Sequence, residues 1–255
     1  MSENLQQPQE PSFAEEAKPM PFIDKLVGVF TAPGEVFENV VKAKAQTTDW
    51  LLPILILIVL SIVSNFLKFG NHQIRDSLVM FQEQRIDKLV EEGKMTEEQA
   101  EIAKERISEF GRAQQIFSVL GILIGVPIVF LIVTLVYFLL GKLFFKGSVE
   151  FLTIFSIYSL SSLIGSVGVI VSTLLAFLTG SFFASASPAI FMEVSTSKAY
   201  VLASKIEVFT IWQLIVFAIG MAKGFNKDYT STFALVFGVW IIWVLLSLFV
   251  PFLGG

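Results

Sequence analysis

Ala113-Gln-Gln-Ile-Phe-Ser-Val-Leu-Gly121-Ile-Leu-Ile-Gly125-Val-Pro127-Ile-Val-Phe-Leu-Ile-Val-Thr-Leu-Val-Tyr-Phe-Leu-Leu-Gly141 runs 29 residues without one Asp, Glu, Lys, Arg or His. Wound as a helix it measures about 40 Å, more than the roughly 30 Å hydrocarbon core of a bilayer. In lipid the backbone must satisfy its own hydrogen bonds, so a stretch of this kind crosses as a helix. The rest of the chain is read relative to it.

Composition agrees with that solvent. Of 255 residues, 54% are apolar and 16% charged, and the mean hydropathy is +0.73, whereas soluble domains carry about 25% charged residues. The net charge of −4 and the lack of a basic cluster exclude nucleic acid as a partner. The chain has no cysteine and one histidine, which removes thiolate chemistry and disulfides and argues against a metal or any other cofactor.

Further apolar runs on both sides extend this to an all-α integral membrane bundle of five spans. The first covers about 50–69, with Trp50 as an interfacial anchor and Lys68 able to reach headgroups. The second covers 115–145, where Gly121 and Gly125 form a small-xxx-small pattern that invites a neighbouring helix, and Pro127 predicts a bend. Phe151 to Met192 carries no charge over 42 residues. It divides into a span over 151–179 and a non-spanning apolar loop, because Gly180-Ser and Ser185-Ala-Ser187-Pro188 disfavour another crossing. A fourth span over 198–222 follows, since a helix begun at Ile206 and ended at Met221 is only about 24 Å long. The fifth covers 229–252, with Trp240 and Trp243 as packing residues three apart on one face.

Residues 1–20, rich in Gln, Pro and Glu, read as a disordered tail. Over 21–48, Phe22, Ile23, Leu26, Val29 and Phe30 recur at helical spacing, Pro33 starts a second short helix, and the pair is expected to lie on the membrane surface. The polar insertion 71–112 holds ten Asp or Glu and reads as a helical hairpin. Ile74, Leu78, Phe81 and Leu89 form one stripe, facing Ala103, Ile107 and Phe110; Gly93 makes the turn, and Thr96-Glu-Glu-Gln99 is a capping box.

Basic residues counted over the whole chain leave the orientation undecided. Eight lie on the amino-terminal side and ten opposite, but eight of those ten lie between Lys68 and Arg112. Leaving out that long segment, eight against two places the amino terminus in the cytoplasm.

Candidate functional residues are few. Extending the fourth span to Ser197 carries Lys205 and Glu207 into its first third, and an ionisable group there is a functional candidate. Asn65 is the one strongly polar side chain of the first span and is expected to bond a neighbouring helix. Ser161, Ser162, Gly165, Ser166, Gly168 and Ser172 give the third span a small-residue face, suited to tight packing or to a polar path.

Two segments carry a family likeness. Gly28-Val-Phe-Thr-Ala-Pro33-Gly-Glu-Val-Phe37, and Ile206-Glu-Val-Phe-Thr-Ile-Trp212 followed by Gly220, resemble the Yip1 domain family in its bacterial branch, and so single out Pro33 and Trp212. The likeness, with the five spans, covers roughly Phe22 to Phe252. It implies a multi-pass protein of the bacterial cytoplasmic membrane without an established reaction, and no catalytic residues to carry over. The Asp-Leu-Tyr-Gly-Pro motif of eukaryotic relatives is absent, so their Rab-linked trafficking role is not transferred.

Function is read as a non-enzymatic membrane scaffold or adaptor. Its partners are membrane lipids and membrane proteins reached through the 71–112 hairpin, and it can also self-associate. The competing reading is a small transporter or channel with a polar path along the third and fourth spans. An intramembrane hydrolase would have to use His72, and the chain has no nucleophile elbow or zinc-binding helix.

Overall fold

The computed structural model describes residues 17–109 and 111–249. Most of the amino-terminal tail, Phe110 and the last residues of the fifth span lie outside them. Among the described residues there are ten α-helices and no strand.

Helices α1 (Phe22–Thr31) and α2 (Pro33–Lys42) form a tight pair. Pro33 takes the first turn of α2, where its missing N–H costs nothing, and a Cβ on Gly28 would collide with Val36. Phe30 meets Trp212 edge-on at 5.8 Å and Glu38 bonds Lys223. Those partners are eleven residues apart on one helix, about 16 Å, so the pair packs against both ends of that helix. One face serves the core, with Val29, Val36, Phe37 and Val40 buried, while Ile23 and Val27 stay exposed.

Helix α3 (Thr47–Gly70) starts from a reciprocal cap between Gln46 and Asp49. Helices α4 (His72–Glu91) and α5 (Glu97–Glu109) form the hairpin. Gly93 turns it at φ 67°, and Thr96 and Gln99 exchange side-chain-to-backbone bonds at 3.1 and 3.2 Å. Then come α6 (Gly111–Phe145), continuous through Pro127, and α7 (Phe151–Thr179), stopped by the left-handed Gly180. A short 3-10 turn, Pro188–Phe191, lies in the following loop. Three helices complete the chain: α8 (Lys198–Lys205), α9 (Val208–Phe225) and α10 (Tyr229–Ser247). Five of the ten, α3, α6, α7, α9 and α10, are long and apolar enough to cross a bilayer.

Contacts give their directions. Trp50 meets Phe155 and Ser64 meets Thr173, so α3 and α7 run parallel. Phe138 meets Phe151 and Phe130 meets Tyr158, so α6 is antiparallel to α7. Gly224 approaches Ile154 while Gly168 approaches Phe209, so α9 is antiparallel too. The start of α3, the 146–150 turn and the 226–228 turn therefore share one end of the bundle. The hairpin, the 180–197 loop, α8 and the end of α10 share the other.

The fourth span differs from its sequence reading. Residues 198–222 do not form one helix: α8 ends at Lys205, the chain breaks at Ile206, and α9 begins at Val208. The break is stabilised from outside, because Val208 N–H donates to the Ala186 carbonyl at 3.0 Å. Nor does a helix approach the small residues of α6, since a Cβ on Gly121 or Gly125 would meet nothing within 4 Å.

Candidate functional site

Helix α4 is fastened to the bundle by polar and apolar ties. Phe182 N–H donates to Ser77 Oγ at 2.8 Å, Lys88 Nζ donates to the Thr196 carbonyl at 3.4 Å, and the Phe81 and Phe183 rings lie 4.6 Å apart. Ile74 is buried with Ala176 and Ala184. Much of the α4 stripe thus serves the loop after α7 rather than α5, and Leu89, expected in that stripe, is exposed. Helix α5 rides on the outside of α4, tied by the Lys104–Asp87 ion pair. Its Glu97, Glu98, Glu101 and Ile102 are exposed.

Docking α4 in this way encloses a groove of 390 Å³ between α4, α8 and the end of α10. Five cationic side chains line it, Arg85, Lys88, Lys94, Lys198 and Lys205, against one carboxylate, Glu92. Lys94 Nζ pairs with Glu92 at 2.6 Å and holds that carboxyl below its ordinary range. Lys198 Nζ sits 4.6 Å from the Phe249 ring centre and Lys205 Nζ 4.9 Å from that of Trp243. Burial pulls the Lys205 ammonium below the usual lysine range. Phe81, Phe183, Val201 and Leu248 supply apolar wall. Ser197 caps α8 by accepting from Tyr200 N–H at 3.2 Å, which fixes Lys198 at the rim.

The four residues singled out in the sequence do not gather into one site. Glu207 is not inside a helix. It is the N-cap of α9, its carboxylate accepting from Phe209 N–H, Thr210 N–H and Thr210 Oγ1 at 3.0, 2.7 and 2.9 Å, so its charge complements the positive helix end. Trp212 lies between Phe30 and Phe209 as packing, and Pro33 starts α2. Asn65 does not bond a neighbouring helix: its Oδ1 is buried without a hydrogen-bond partner, in a notch of 200 Å³ lined with Ser61, Ser64, Lys68 and Ser172. The serine face of α7 is largely closed as well. Ser161, Ser162, Ser166 and Ser172 each donate to a carbonyl of their own helix, and Gly165 and Gly168 are covered by Gln213 and Phe209.

Both quoted segments thus converge on the α1–α2 pair packed along α9, and the family model of the Yip1 domain matches residues 27–251. The chain belongs to the Yip1 domain family. No curated protein and no solved structure matches it. It is a multi-pass integral membrane protein with a Yip1 domain. Within that domain the segment after Gly28 builds the packing of α2 on α9, and the segment after Ile206 builds the start of α9.

Sequence reading missed two features of this Yip1 domain. The groove cations come from segments over a hundred residues apart, and no local pattern joins them. The other is an ion pair between Lys25 and Asp49 at 2.7 Å, with side chains 1% and 0% exposed. A signal for it existed: Lys25 falls between Phe22 and Val29 at helical spacing, on the apolar face of α1. Among the described residues no group of three or more His, Cys, Asp or Glu is placed to hold a metal ion.

Proposed function

We infer that this Yip1-domain protein is a non-enzymatic membrane scaffold or adaptor, its bundle acting as anchor and its α4–α5 hairpin offering a polar surface to a protein partner. The observation that carries the reading is the division of labour in the hairpin. Helix α4 is bonded to the bundle through Ser77, Lys88 and Phe81, while α5 is held on α4 and turns Glu97, Glu98 and Glu101 outward. A surface helix fixed in this way presents charges in a set geometry, which favours a basic partner by steering and by register. The proposed setting is a bacterial cytoplasmic membrane with the amino terminus inside, which puts this surface on the outer side.

The test is a charge-reversed full-length chain, Glu97→Lys with Glu98→Lys and Glu101→Lys, compared with the parent by quantitative cross-linking and copurification from membranes. The reading requires that the variant insert normally and lose specific partners that the parent retains. An unchanged partner set would overturn it.

A further inference from the structure

We propose that the groove between α4, α8 and the end of α10 binds a phosphate oxyanion, the headgroup of an anionic phospholipid, held by Lys88, Lys198 and Lys205. This goes beyond the scaffold reading and stands independently of any partner on α5.

Charge is the first argument. The whole chain carries −4, yet four lysines line this one groove against one carboxylate, and that carboxylate is engaged by Lys94. Among the described residues, Lys88, Lys198 and Lys205 form no ion pair with any carboxylate. They bond a carbonyl and two aromatic faces instead. Gathering like charges is unfavourable without a counter-charge, and a phosphate supplies one, with several oxygens to accept from separate ammonium groups.

Position and shape are the second. Lys198 and Lys205 lie on the helix that precedes the α9 span, and the groove is closed by Ser247, Leu248 and Phe249 at the end of the α10 span. The cations therefore sit at the end of two spanning helices, the level of lipid headgroups, where basic pockets between helices take anionic lipids. The Phe249 ring is largely exposed and lies beside Lys198, so an apolar surface for an acyl chain adjoins the charge. A free phosphate would use the cations and leave that surface idle, which favours the lipid.

Full-length protein in micelles containing equal amounts of phosphatidylglycerol and phosphatidylcholine, released for native mass spectrometry, should retain phosphatidylglycerol with a preference on the order of tenfold. Lys88→Gln with Lys198→Gln and Lys205→Gln should bring the two lipids to parity. The corresponding Lys→Arg triple should keep the preference, and so should Lys142→Gln with Lys146→Gln at the other end of the bundle. Equal retention of both lipids by the parent protein would overturn the proposal. So would a rise in melting temperature with inorganic phosphate unaccompanied by any lipid preference, which would reassign the groove to the free anion.

Discussion

Lys25 Nζ lies 2.7 Å from Asp49 Oδ1, joining α1 to the first turn of α3 with both side chains shut off from solvent. The other oxygen of Asp49 accepts from Gln46 N–H at 3.0 Å, so one carboxylate closes the entrance to the first span and anchors the helix before it. Two buried charges so placed act as a lock on the α1–α2 pair: each is costly without the other. Removing either by Lys25→Met or Asp49→Asn should destabilise by about 3–5 kcal/mol, whereas Lys25→Met with Asp49→Leu should cost clearly less than either single change. Thermal unfolding in detergent measures all three, and additive losses would contradict the lock.

A second tie on the same face should depend on pH. Lys223 and Lys42 hold the Glu38 carboxyl at about 2, below its ordinary value of 4.5. A carboxyl lowered in the folded protein contributes stability above 4.5, and that contribution fades as pH falls through the interval down to about 2. The melting temperatures of the parent and Glu38→Gln should therefore differ near neutrality and converge as pH drops through that window. A constant difference would show that the charge of Glu38 is not what ties α2 to Lys223.

Two glycines inside spanning helices should behave oppositely. A Cβ on Gly220 would overlap Ile157 Cγ2 and stand 3.0 Å from Phe37 Cδ2, in the middle of the α2–α7–α9 core. Gly220→Ala should cost about 1–3 kcal/mol through overpacking. Gly125→Ala should cost nothing, because open space surrounds it. The two melting curves decide the matter.

Glu207 is worth testing because its sequence position suggested a path residue. As the cap of α9 it accepts three hydrogen bonds, so Glu207→Ala should lower stability by about 1 kcal/mol. Glu207→Asp, which keeps the carboxylate, should recover part of that loss. Solute flux in liposomes that disappears in a Glu207→Ala protein of unaltered stability would support the transport reading.

Legibility in the sequence followed the range of the physics involved. Span α7 and its end at Gly180 were readable because an uncharged run followed by a Gly-Ser breaker is a local signal. The Thr96–Gln99 capping box was readable for the same reason. The α8–α9 break was not, because the minimum length of a span argued for one long helix while the break is held by a carbonyl twenty-two residues away, at Ala186. Leu89 was misplaced because periodicity shows an apolar stripe without showing which neighbour covers it. The groove was invisible, since Lys88 and Lys198 become neighbours only after α4 folds onto the 180–197 loop.

A five-span bundle places the α1–α2 end and the hairpin end on opposite faces of the membrane. With no native cysteine, single exposed probes report it cleanly: Thr48→Cys in the first turn of α3, and Glu98→Cys on α5. A membrane-impermeant maleimide should label Glu98→Cys in intact cells, and Thr48→Cys only after permeabilisation. Labelling of both probes under the same condition would contradict the five-span arrangement, and the reverse pattern would keep the arrangement while inverting its orientation.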